Sequence, residues 1–223
     1  MKLYKFRPLA NKDDFERLKG ILETGEFHCS KFTELNDPME GVYNFSDYDN
    51  RPEAIGLILG AKASYKICSF SDEKAFSDPK MWGYYANGFR GVAVEIEVCR
   101  EEVEEINYED DVLSFPGLNP DEEAKKILTT KLLPWGHEYE YRFLKKDYTN
   151  NRKFKIGKIT ALYYGSPYEK TINENDIIEN RSALKKYIEL KDNILLIAKE
   201  LGLNCVKVKI EKCKVVKKTV LDE

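Results

Sequence analysis

Histidine is nearly absent from this chain: His28 and His137 are the only two in 223 residues, and neither stands beside a cysteine pair or in an HExxH pattern. That scarcity argues against the usual zinc ligand sets. It also leaves His137 as the main candidate base for a Ser-His-Asp or Cys-His arrangement, and His137 lies among aromatic residues, where an imidazole reads as packing. The five cysteines, Cys29, Cys68, Cys99, Cys205 and Cys213, are scattered singly. With no CxxC and no even-numbered framework, they are expected to be reduced and mostly buried. No Walker A loop and no GxGxxG occurs, so the glycine-rich phosphate cradles are missing. Long apolar runs are missing too: nothing approaches the roughly 20 residues of a membrane span. The opening MKLYKFRPLANKDD has no signal-peptide core, and the chain is expected to stay in the cytoplasm. A dominant charge is also lacking. Lys and Arg total 36 against 39 Asp and Glu, a net charge of −3. Such a balance offers no field for nucleic acid or a membrane surface, and a small substrate or a protein partner fits better.

What is present is enough to fill a core, with 42% hydrophobic and 12% aromatic residues. KLYKF (2–6) reads as a first strand. Phe15, Leu18, Ile21 and Leu22 recur at helical spacing over 13–24, with Asn11 or Asp13 to cap and Gly25 to stop the helix. EFHCS, YKICSF, GVAVEIE and KITALYY read as strands. Helices are predicted over 53–63, over SDPKMWGYYANG behind Asp78-Pro79, and from Pro120 to about Leu132. The longest amphipathic helix is predicted from Ser182 to Leu201, with Leu184, Tyr187, Ile188, Leu195 and Ala198 on its apolar side and Gly202 as terminator. In the tail CVKVKIEKCKVVKKTV, Lys207, Lys209, Lys212 and Lys214 alternate with apolar residues. They read as a solvated edge strand guarded by lysine rather than a basic strip. No repeat or linker stands out, and strict β-α-β alternation is lacking. The expectation is a single α+β domain over 1–223, a split mixed sheet with flanking helices, with the C-terminal helix and strands (154–220) packed on it.

HEYEYRFL (137–144) poses the functional question. As a strand it would point Glu138, Glu140 and Arg142 one way and His137, Tyr139, Tyr141 and Phe143 the other. The plain reading is a solvated edge carrying a weak Glu140–Arg142 ion pair. Other polar residues fall at predicted strand ends and turns, where sites tend to be built: Arg7 after the first strand, Asn36 and Asp37 in the LNDPMEG turn, Ser69 and Ser71 flanking Phe70, and Tyr85 near Trp82 on the short helix. Four of them have a bland alternative: turn chemistry for Asn36 and Asp37, core packing for Tyr85, a structural arginine at Arg7.

The segments LYKFR, LNDPME, CSFS, MWGYYANGFRGVAVEIE and YEYR resemble those of a large bacterial domain-of-unknown-function family. Its pattern runs LYKYR, NDPxE, SFS, WxxYA, HxGxxIxF and YExEYR. The resemblance covers residues 3 to 144, with Phe89 standing where the pattern often has histidine. Abortive phage-infection proteins resemble that family more distantly.

The order Arg, Ser-x-Ser, Glu-x-Glu also resembles the ADP-ribosyltransferase superfamily. That resemblance implies an ADP-ribosyltransferase-like fold that consumes NAD by ADP-ribose transfer or hydrolysis, in a toxin or phage-defence setting and without a metal. It implies Arg7 on the dinucleotide, Ser69 and Ser71 shaping the nicotinamide pocket, Tyr85 stacking, Glu140 catalytic and Glu138 activating an acceptor. The chemistry is coherent: a carboxylate facing an oxocarbenium-like centre stabilises the transition state, and a guanidinium forks onto pyrophosphate oxygens. The alternative is a non-catalytic module of the same fold that binds a nucleotide or a protein partner, such as the neutralising half of a toxin pair.

Overall fold

In the computed structural model, residues 1–46, 51–116, 118–167 and 176–217 are described. In chain order the elements are β1 (Lys2–Pro8), α1 (Lys12–Thr24), β2 (Glu26–His28), β3 (Asn44–Phe45), α2 (Arg51–Ser64), β4 (Tyr65–Ser71), α3 (Glu73–Phe76), α4 (Pro79–Tyr85) and β5 (Gly91–Glu97). There follow β6 (Glu104–Glu105), β7 (Asn107–Glu109), β8 (Ser114–Phe115), α5 (Pro120–Leu128), β9 (Thr130–Leu132), β10 (Glu140–Lys146), β11 (Lys153–Lys155), β12 (Lys158–Gly165), α6 (Asp176–Glu200), β13 (Asn204–Glu211) and β14 (Lys214–Lys217). The architecture is mixed α+β, with parallel and antiparallel pairs in its main sheet. The chain divides into two compact units: residues 1–26, 70–98 and 155–223 form the first, and 27–69 and 99–154 the second.

In the first unit the strand order is β14-β13-β12-β5-β1, with the end of β4 beyond β1. Residues directly opposite in an antiparallel pair share a face. Tyr4 opposite Glu95 and Phe6 opposite Ala93 therefore lie on one side of the sheet, and Leu3 opposite Ile96 on the other. The first side packs on α3 and α4 through Tyr4, Phe6, Phe76, Met81 and Trp82. The Trp82 indole N–H donates to the Phe76 carbonyl at 2.9 Å, so burying the ring leaves no polar atom unmet. β12 and β13 pair in parallel through α6, and the Tyr187 hydroxyl donates to the Gly165 carbonyl at 2.6 Å, tying that helix to β12. α1 begins at Asn11, whose side chain accepts from the Asp14 N–H, and ends at Gly25 with φ 70°, as its sequence requires.

α6 starts upstream of the predicted Ser182. Ile188 on its expected apolar side is exposed, and Ile194 is buried instead. The tail is a hairpin and not one strand: β13 and β14 pair antiparallel around Lys212 and Cys213, both with positive φ. The lysines Lys207 and Lys209 precede that turn, and Lys212 occupies it. The cysteines are less uniform than expected, with Cys29 and Cys68 buried but Cys99 and Cys213 exposed.

In the second unit β4, β10 and β6 are successive neighbours, and the short pairs β3–β8 and β7–β9 are parallel. Ile58 of α2, Phe115 and Ile127 of α5 form its apolar cluster. α5 stops at Leu128, short of the predicted Leu132. The Thr129 and Thr130 hydroxyls turn back onto the Lys125 and Lys126 carbonyls at 3.0 and 2.9 Å, and the chain leaves the helix into β9.

Candidate functional site

Glu138 and Glu140 do come together, but not by strand alternation. Residues Leu133–Glu138 form a 3-10 helix entered through Pro134, Tyr139 takes φ 41°, and the strand begins only at Glu140. The left-handed residue turns both carboxylates onto one ammonium: Lys131 donates to Glu138 Oε2 at 2.6 Å and to Glu140 Oε2 at 2.8 Å. On the other side Arg142 Nε donates to Glu140 Oε1 at 2.7 Å. The Arg142 fork then reaches Glu40, with Nη1 to Oε1 at 2.6 Å and Nη2 to Oε2 at 2.8 Å. Nη1 also donates to the Leu128 carbonyl at 2.6 Å, occupying an acceptor that the end of α5 leaves without an intrahelical partner. The Glu140 backbone N–H donates to the Tyr108 hydroxyl at 3.0 Å.

The predicted solvated edge is therefore an interior. The side chains of Glu40, Glu140 and Arg142 are 3%, 3% and 1% exposed. Isolated charges there would cost several kcal/mol each, so the arrangement has to be read as an array. Lys62 extends it: its ammonium donates to the Gly41 carbonyl and lies 4.4 Å and 5.1 Å from the Phe32 and Tyr43 ring centroids. Burial lowers its pKa, and the charge of Glu40 opposes that shift. Lys62, Glu40, Arg142, Glu140, Lys131 and Glu138 alternate in sign and sum to zero. Burial acts against charge at Glu140, yet Arg142 and Lys131 outweigh it and hold its carboxyl far below the ordinary range. Lys131 is pushed down by burial and raised more strongly by Glu140 and Glu138. Burial raises the Tyr108 hydroxyl pKa, the hydrogen bond it accepts from the Glu140 N–H works against that rise, and the charge of Glu140 adds to it.

A cavity of about 20 Å³ opens beside Lys131, lined also by Met39, Val42, Ile127, Thr130 and Leu132. It has room for about one water, far from the several hundred Å³ of a cofactor pocket.

The other predicted residues divide between the units. Arg7 lies opposite Val92 in β1, Ser71 is buried opposite Tyr4, and Tyr85 packs against the aromatic cluster of the first unit. Asn36, Asp37 and Ser69 belong with Glu138 and Glu140 to the second. Asp37 is buried, and its side chain accepts from the Met39 N–H at 2.9 Å, which is turn chemistry. His137 Nδ1 lies 3.1 Å from the Pro134 carbonyl, and its ring stacks on Trp135. Among the described residues no helix is long and apolar enough to cross a membrane, and no His, Cys, Asp and Glu group is arranged to hold a metal.

Sequence patterning does not single out Lys131, Lys62 or Glu95. Glu40 has a signal, as the last residue of the NDPME stretch. Glu95 is buried in β5 and accepts from Lys2 at 2.9 Å, Thr160 at 2.7 Å and Tyr163 at 2.9 Å. Burial alone would raise its pKa, but those hydrogen bonds outweigh it and hold it below the ordinary value. Comparison of the chain with protein-family models, with curated proteins and with solved structures found no match in any of the three.

Proposed function

We propose that this chain acts by binding, as a module that recognises a nucleotide or a protein partner without turning over NAD. The observation that carries this reading is the state of Glu140. Both of its oxygens are engaged by Arg142 and Lys131 inside a neutral buried array. A carboxylate that stabilises an oxocarbenium-like centre has to face that centre, and its affinity for positive charge has to be reserved for the transition state. Glu140 spends that affinity on two resident cations. On this reading Glu138 and Glu140 organise the second unit, and the ADP-ribosyltransferase-like fold implied by the resemblance serves as a scaffold.

The NAD-consuming reading keeps one supporting observation. Glu140 is held ionised with Glu138 beside it, which is the charge state such a mechanism needs. Nicotinamide release from NAD separates the two, measured for wild type and Glu140→Gln with and without cell lysate, alongside the thermal midpoint of each protein. The expected result is no release from either protein and a clear drop in midpoint for the variant. Release by wild type that disappears in a Glu140→Gln variant of unchanged midpoint would overturn the binding reading and restore the enzyme.

A further inference from the structure

The first unit holds an ammonium group in a cup of aromatic rings. Lys217, in β14, places its Nζ 5.6, 5.0 and 4.9 Å from the ring centroids of Tyr4, Phe76 and Tyr163. The three rings pack on one another, with centroids 4.5 Å (Tyr4–Phe76), 4.9 Å (Phe76–Tyr163) and 5.9 Å (Tyr4–Tyr163) apart, and with Lys217 in place they are only 1% (Tyr4), 1% (Phe76) and 5% (Tyr163) exposed. Glu73 closes the rim, with Oε1 3.2 Å from the same ammonium. The rings are fixed from behind by buried Glu95, which accepts from the Tyr163 hydroxyl at 2.9 Å and lies 3.2 Å from that of Tyr4. A wall of ring faces with one carboxylate is the chemistry that recognises alkylated ammonium ions. The Lys217 side chain remains 37% exposed.

We propose that Tyr4, Phe76, Tyr163 and Glu73 form a binding site for an alkylammonium group, and that Lys217 is its resident, displaceable occupant. The site does not involve Glu140 and is independent of how that residue is read. An incoming ammonium competes with Lys217 for the same wall. Methylated ammonium is the better competitor, because it spreads its charge over methyl groups that match ring faces and loses less hydration than a primary amine.

The test is titration of wild type, Lys217→Ala and Lys217→Gln with tetramethylammonium chloride and with the neutral alcohol 3,3-dimethylbutanol, whose tert-butyl group matches the trimethylammonium head in shape without its charge, followed by chemical-shift changes of the tyrosine and phenylalanine rings. Lys217→Gln keeps most of the stem and removes the charge, which guards against loss of β14 in the alanine variant. Expected is saturable tetramethylammonium binding to both variants with Kd on the order of 1 mM, at least about tenfold weaker in wild type, lost on adding Phe76→Leu, and absent for the alcohol. A peptide carrying trimethyl-lysine then names the source. Binding at least tenfold tighter than the free cation assigns the site to a modified protein tail, and equal binding assigns it to a small quaternary amine. No saturable binding to either folded variant, or equal binding of the alcohol, would overturn the proposal.

Discussion

Replacing Arg142 by methionine is expected to cost about 3–5 kcal/mol of stability, which for a chain of this size lowers the thermal midpoint by about 10 °C. The side chain it removes is 1% exposed and donates to Glu140, to Glu40 and to the Leu128 carbonyl. Without it Glu40 and Glu140 remain buried against Lys131 and Lys62 alone, and the array carries a net negative charge. Arg142→Lys restores the charge but not the planar fork, so it should recover only part of the loss. The acid limb of stability reports the same array. Glu140 titrates far below the ordinary value of 4.5 when folded and near that value when unfolded. Between the two the unfolded chain binds more protons, so the contribution of Glu140 is complete above about pH 4.5 and declines as pH falls. Arg142→Met removes the main charge that depresses Glu140, and its urea midpoint should fall less between pH 7 and pH 3.5 than that of wild type. An equally steep fall would mean that Glu140 is not held by Arg142.

A second large effect is expected at Gly157, just ahead of β12. Its φ is +66°, and an added Cβ would lie 2.3 Å from the Glu97 carbonyl oxygen and 2.6 Å from a Val98 methyl carbon. The left-handed backbone costs a non-glycine residue about 1 kcal/mol. The contact with backbone oxygen adds a clash that only movement of β5 against β12 relieves, so Gly157→Ala should lose about 3 kcal/mol or more. Gly202 supplies the control. Its φ is +72° and nothing lies within 4 Å of the place an added methyl would take, so Gly202→Ala should cost only the backbone strain. Thermal melts of the two variants side by side check this, and equal losses would show that close approach of Gly157 to Glu97 plays no part.

Local signals in the sequence suffice where structure is decided locally. Asn11, the apolar spacing and Gly25 delimit α1 because a cap, a period and a left-handed stop all act within a few residues. The Glu140–Arg142 pair is legible for the same reason, two residues apart on one strand. Its burial is not. Binary patterning assigns a polar face to solvent, and this one is paired with Lys131 and with Glu40, which lies 102 residues from Arg142. Alternation misplaces the start of β10 because Tyr139 takes a conformation usually left to glycine or asparagine. The tail hairpin hides likewise, since Lys212 and Cys213 make a turn that normally advertises itself as Asn-Gly.

The buried array also bears on how the second unit assembles. Its members come from separate stretches of chain around Glu40, Lys62, Lys131 and Glu138–Arg142, and none of them gains by desolvating before its neighbours arrive. A half-built array is worse than none, so these contacts belong late in folding, after α2, α5 and β10 have met through apolar surface. Stability lost at Arg142 or Glu140 should accordingly appear as faster unfolding, with the folding rate left nearly untouched.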